Sequence, residues 1–272
     1  MKKLLVLASM LLMTLAVTAQ EKTVVCIDKF KNNSSMNDIT VNNLRNEIMQ
    51  GIIAKKRLDL KDAATMGNLP SDKSELLKAL KEQGVEFLIE GTLNSIDQKK
   101  HSDGKSYIAE INYTLTVIDT ETGLTKSSDT YKDSWYSGST ADESVLKAIE
   151  KARVRMAKFV DDKFKVEAII KALDQIDEKK GAAKTCYVSI GSAAGIAKGQ
   201  IFEVFANVKI AGEDVEKKIG EVKAKEVMSP TLTLCDVKNG GEEIKKNFEG
   251  GVTMTVVSRA TKDALGLGGL FK

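Results

Sequence analysis

Hydrophobic positions along this chain change rhythm several times. Leu4 to Val17 is an unbroken weakly polar run of 14 residues, short of the ~20 that a helix needs to cross a bilayer. Lys22 to Phe30 (KTVVCIDKF) reads as a mostly buried strand, ended by the polar turn from Lys31 to Ser35. Val41, Leu44, Ile48 and Ile52 then recur at three- and four-residue steps. They predict an amphipathic helix capped by Asp38 or Thr40, with Lys55, Lys56 and Arg57 at the end that favours cations. After a short strand at Leu58–Leu60, Asp72 and Glu75 open a second helix with Leu76, Leu77 and Leu80 inward and Gly84 as its stop.

Val85 to Leu93 (VEFLIEGTL) is a buried strand, followed by a charged loop over Asp97–Ser106. Ile111, Tyr113, Leu115 and Val117 alternate with polar residues, and Thr120-Glu121-Thr122-Gly123 turns the chain into a return strand ending at Tyr131. Thr140 and Glu143 form a capping box before a long helix with the stripe Val145, Ile149, Ala152, Met156, Phe159 and Val160. Ile169, Ile170, Leu173 and Ile176 extend the same rhythm, and residues 166–183 are expected to be a helical linker. Beyond Ala183 five short strands and no helix are expected, which is the pattern of a small barrel or sandwich. The predicted class is therefore α+β: a mixed sheet with packed helices over 20–165, the helical linker, a small β-barrel or sandwich over 184–260, and a glycine-rich tail at 261–272.

Four stretches carry a resemblance to a known family. Val24 to Phe30 is similar to the opening strand of the envelope proteins grouped around the curli secretion component CsgG and the penicillin-binding-protein activator LpoB. Gly84 to Leu93 resembles their glycine-bounded apolar strand, Leu115 to Gly123 their strand ending in Asp-x-Thr-Gly, and the capped helix that follows completes the set. Val188 to Val204 resembles the small β-domain of the flagellar assembly protein FlgT. The likeness implies a fold and a protein-binding role. It brings no catalytic residue.

The glycines fit that reading physically. Gly91 follows a strand with apolar neighbours on both faces, which suggests a bulge or close backbone approach. Gly191, Gly195 and Gly199 sit where a turning chain needs positive φ or room for another backbone. A phosphate loop would need Lys-Ser or Lys-Thr after the last glycine and then a helix, whereas Gln200 leads into a predicted strand.

Met1-Lys2-Lys3, the apolar run and Val17-Thr18-Ala19 together have the form of a cleavable signal peptide over residues 1–19. The first cysteine, Cys26, follows Thr23-Val24-Val25, which is no lipobox. The sequence thus points to an exported, periplasmic chain without a lipid anchor or membrane-spanning segment after cleavage, although association with the outer membrane stays open. Cleavage leaves 39 basic against 38 acidic residues, so the pI of 8.5 says nothing about nucleic acid, and no nucleic-acid partner is expected. The other two cysteines are Cys186 and Cys235. In an oxidising compartment they can pair, and the other reading is that all three are small buried hydrophobes.

Little chemistry is written into the residues. The single histidine, His101, lies in a charged turn, and the pairs Asp161-Asp162 and Glu242-Glu243 sit among other charges on faces expected to be solvated. No catalytic, cofactor-binding or metal-binding set is expected. The most partner-like segment is Tyr131–Thr140 (YKDSWYSGST), where Trp135, the only tryptophan, stands beside Tyr136. Exposed aromatics there would suit a hot spot, and Trp135 folded back as core is the competing reading. The leading function is a non-enzymatic adaptor that binds envelope proteins during assembly or activation of envelope machinery, with self-association left open. The alternatives are a curli-type outer-membrane secretion component and an envelope enzyme of unrecognised type.

Overall fold

The computed structural model describes residues 22–259. The expected signal peptide at 1–19 and the expected tail at 261–272 lie outside the described residues. The fold is α+β, and its first domain is built on a mixed sheet. β1 (Thr23–Ile27) and the two-residue β2 (Lys31–Asn32) lead into α1 (Asp38–Ala54), then β3 (Leu58–Asp62) and α2 (Lys73–Glu82). β4 (Phe87–Lys100), β5 (Tyr107–Asp119) and β6 (Thr125–Gly138) form a meander, closed off by α3 (Ala141–Lys163). The sheet order is β3-β1-β4-β5-β6, with β1 parallel to both neighbours and β2 paired to β4.

The hydrophobic pattern explains the layering. Val25, Cys26 and Ile27 are all buried, as a strand covered on both faces requires. Val25 and Ile27 meet α1 and α3 in one core with the odd-numbered apolar residues of β5; Cys26, Leu88 and Ile118 meet Leu76, Leu77 and Leu80 of α2 in a second core. α1, α2 and α3 each start on a side-chain cap. Asp72 accepts from the amides of Ser74 and Glu75, Thr140 accepts from Glu143, and α1 uses Asn37 where Asp38 or Thr40 was expected. Two sequence boundaries move. β4 and β5 pair out to Lys100 and Tyr107, so the expected charged loop shrinks to residues 101–106. β6 runs past Tyr131 to Gly138, so the aromatic segment is strand.

The second domain is a closed barrel, which resolves the choice between barrel and sandwich. The expected helical linker at 166–183 is instead β7 (Glu167–Leu173) followed by the small hairpin β8 (Ile176–Asp177) and β9 (Ala182–Ala183). β10 (Thr185–Val188), β11 (Ile201–Ile210), β12 (Glu213–Ser229) and β13 (Leu232–Asn239) follow, and β14 (Met254–Arg259) closes the domain in the order β10-β13-β12-β11-β14-β7. β7 fills the gap between β14 and β10, so barrel closure overrides a short apolar run whose spacing fits a helix or a strand equally. A helix that the sequence reading excluded, α4 (Gly241–Glu249), lies between β13 and β14. Ile244 anchors it fully buried in the barrel core, with Phe248 packed alongside.

Candidate protein-binding surface

β6 is an open edge: only β5 pairs with it among the described strands. Strand alternation divides its side chains. Asp129, Tyr131, Asp133 and Trp135 face α3, where they meet Lys163, Phe159, Arg155 and Lys151 in turn. Thr130, Lys132 and Ser134 face the other way and contact Thr114 and Glu110 of β5.

A buried network holds α3 against this edge. Asp133 accepts from the Tyr113 hydroxyl at 2.9 Å and from Arg155 Nε at 3.0 Å, and the Arg155 guanidinium lies 5.6 Å from the Tyr131 ring centre. Burial, and then the charge of Asp133, push the Tyr113 phenol well above its ordinary pKa, so it stays a neutral donor. The hydrogen bond to Asp133 raises Arg155 further into its charged range. With its carboxylate satisfied from two elements, Asp133 fixes the register of α3 along β6.

Trp135 sits at the end of that network. Its ring is half-buried on the first core, and Lys151 Nζ lies 5.1 Å over it. Tyr136, the next residue, is 60% exposed. The two aromatics therefore divide by face: Trp135 packs inward toward α3, and Tyr136 presents a free ring on the outer face. Earlier along the strand, Lys126 and Lys132 are exposed while Asp129 and Asp133 point inward, the charge placement that keeps an edge from pairing indiscriminately. At Tyr136 and Ser137, which oppose the single Ile108, the ladder to β5 shifts register, a bulge that interrupts regular edge pairing there. On the neighbouring outer surface of α3, Leu146 and Val154 are exposed apolar residues.

The junction between the domains was hidden in the sequence. α3 ends at Lys163 and β7 starts at Glu167; between them Val166 exchanges two hydrogen bonds with Ser258 of β14, at 3.0 and 2.9 Å. Arg57, only 2% exposed, pairs with fully buried Asp161 of α3 at 2.7 Å and donates to Gln200 Oε1 of the barrel at 2.8 Å. Lys55 reaches the other oxygen of Asp161 at 2.8 Å. Asp161 is thus no solvated carboxylate, unlike Asp162, which is exposed and paired with Lys158. Neither role could be read from the charged runs around Arg57 and Asp161, because both depend on the barrel arriving from far along the chain.

The glycines have separate tasks. A Cβ on Gly91 would lie 2.2 Å from the Phe30 ring, and one on Gly191 would lie 2.0 Å from the Ser229 carbonyl. Gly195 has φ +68 and abuts Lys56 and Arg57, so it serves the inter-domain contact directly. Gly199 turns the chain into β11 at φ +91. His101 sits in the β4–β5 turn beside Asp103, whose carboxyl is held far below the usual range by the Ser106 and Lys105 amides and the Ser106 hydroxyl. That makes a turn lock. Cys26 lies in the α2 core, where burial pushes its thiol up to about 11. Cys186 and Cys235 are free thiols in the barrel core. Among the described residues, no group of three His, Cys, Asp or Glu side chains is placed to hold a metal, and no helix is long and apolar enough to cross a membrane.

No family model matches the chain, and no curated protein matches it in sequence. Among solved structures it is similar to the PelC dodecamer of Paraburkholderia phytofirmans, at 17% identity over 48% of this chain and 85% of that one, with a TM-score of 0.37. Lipoprotein GNA1162 of Neisseria meningitidis is similar at 11% identity over 49% and 96%, TM-score 0.36. The LpoB C-terminal domain of Escherichia coli follows at 15% over 40% and 81%, TM-score 0.24. These are partial likenesses, each covering less than half of this chain, and they assign neither a site nor a partner.

Proposed function

We propose that this protein is a non-enzymatic adaptor of the bacterial cell envelope that binds another envelope protein at the distal end of β6. The observation that carries the reading is the exposed Tyr136 ring on the outer face near the end of an open edge strand, next in sequence to Trp135, which packs inward on the core with Lys151 over it. A tyrosine ring offers a large contact area for only two side-chain torsions, so it loses little conformational entropy on docking. The polar remainder of β6 then acts as rim. The resemblance to the CsgG and LpoB group supports the same class of role, and the signal-peptide form of the first residues supports a periplasmic setting.

Affinity capture from envelope extracts tests this, with the intact chain and Tyr136→Ala compared side by side. A recurring envelope protein retained by the first and lost with the second is the expected result. Capture of an identical set by both would refute the site, and a hydrolase or transferase activity abolished by a point substitution would refute the class.

A further inference from the structure

Cys186 and Cys235 are 49 residues apart in sequence, yet they are directly opposed on the antiparallel strands β10 and β13. The ladder around them is regular: Thr185 faces Asp236 and Tyr187 faces Leu234, with no register shift along the pair. Both side chains are fully buried in the same barrel core, with Val188, Phe202 and Val256. Opposed residues of an antiparallel pair have Cα atoms ~4.5 or ~5.5 Å apart. Both separations fall within the ~4.4–6.8 Å that a disulfide spans. Cys26 has no such opportunity: it lies in the other domain, with its sulfur 3.6 Å from that of Met66.

We propose that in the exported protein Cys186 and Cys235 form a disulfide that staples β10 to β13, leaving Cys26 as the one free thiol. This rests on the export reading, because a reducing cytosol would keep both thiols reduced. In forming the bond the two thiols lose two protons and two electrons. A disulfide accepts them: a thiol oxidase in the envelope leaves as its dithiol, and oxidised glutathione in a refolding buffer leaves as two glutathione thiols. The attacking species is a thiolate, and burial pushes the Cys186 thiol up to about 12 and the Cys235 thiol higher still. A closed, reduced barrel therefore holds almost no thiolate at neutral pH. The bond forms during folding, before β13 seats on β10, and afterwards the same burial shields it from reductants. It encloses residues 186–235, which include β11 and β12, so cross-linking restrains most of the barrel in the unfolded chain. A rise in melting temperature of roughly 10 °C is the expected scale.

The test uses the full chain with its leader. Cells are acid-quenched, envelope and cytosol are separated, free thiols are alkylated, and peptides are mapped by mass spectrometry. A peptide linked between Cys186 and Cys235 in the envelope fraction, with alkylation on Cys26 alone, is expected; three alkylated cysteines in that fraction overturn the proposal. Confinement of the chain to the cytosol would overturn the export premise and the proposal with it. In a parallel arm the purified chain is reduced in urea and refolded in a glutathione buffer, which tests the pairing wherever the chain resides in the cell. The same linked peptide is expected there, resistant to dithiothreitol until urea is restored. A folded product with three free thiols, or with Cys26 in the link, overturns the pairing itself.

Discussion

Replacing Asp161 with alanine strands two cations at the junction of the domains, and the structure says which one matters. Arg57 is 2% exposed and keeps only Gln200 as a polar partner once its carboxylate is gone. Lys55, with 21% of its side chain exposed, can turn back to water. Removing one member of a buried ion pair costs about 3–5 kcal/mol, because the other charge is left desolvated. For a chain of this size that corresponds to a fall in melting temperature of roughly 6–20 °C. Arg57→Met should cost less, since Asp161 retains Lys55, and Lys55→Met should cost least, about 1 kcal/mol or below. The double variant Arg57→Met/Asp161→Leu should be more stable than Asp161→Ala, because no charge remains buried without a partner. Urea unfolding followed by circular dichroism gives the ranking. Calorimetry shows whether the Asp161→Ala variant melts in two separated transitions, as loosened domains should. An Asp161→Ala chain within about 1 kcal/mol of the parent, melting in one transition, would refute the reading of Arg57 and Asp161 as the clamp.

Glycine substitutions separate contact from conformation. Gly195→Ala combines φ +68 with a Cβ only 2.6 Å from Arg57 Cα and should cost more than about 2 kcal/mol, whereas Gly67→Ala, at φ +82 with nothing within 4 Å, should cost about 1 kcal/mol in the same urea assay. Asp62 supplies a pH dependence. Burial acts to raise its pKa, but the hydrogen bond from Arg45, the Ala64 amide and the Arg45 charge outweigh that and leave it below its ordinary value. Its contribution is thus fully present above pH ~4 and is lost as pH falls through the depressed folded-state value, so Asp62→Asn should flatten the acid limb of a stability–pH profile. At the proposed binding surface, Tyr136→Ala should change unfolding stability by less than about 0.5 kcal/mol, while Trp135→Ala, which empties part of the core rim, should cost about 2 kcal/mol.

The first domain was legible because its signals are local. The caps Asp72 and Thr140, the stripe along α3 and the alternation in β5 each lie within a few residues of what they determine. The barrel was less legible because its decisive contacts are distant. Ile169 and Ile170 become strand only because β14 and β10 flank them, and α4 carries too few apolar residues, Ile244 and Phe248, to announce a helix between glycines. Asp161 looked like one of two adjacent solvated carboxylates until Arg57 and the barrel closed over it. The aromatic pair at 135–136 stood out by composition, but its division into an inward and an outward ring needed the strand boundary at Gly138, seven residues beyond the expected end at Tyr131.

Photo-crosslinking in living cells tests the adaptor reading most directly. A photoreactive phenylalanine derivative is placed at Tyr136, and a control at Ile39, which is also exposed but lies on α1. The account expects one discrete adduct from position 136, containing an envelope protein, and none like it from position 39. The same adducts from both positions, or no adduct from 136 in cells where the chain is present in the envelope, would contradict it.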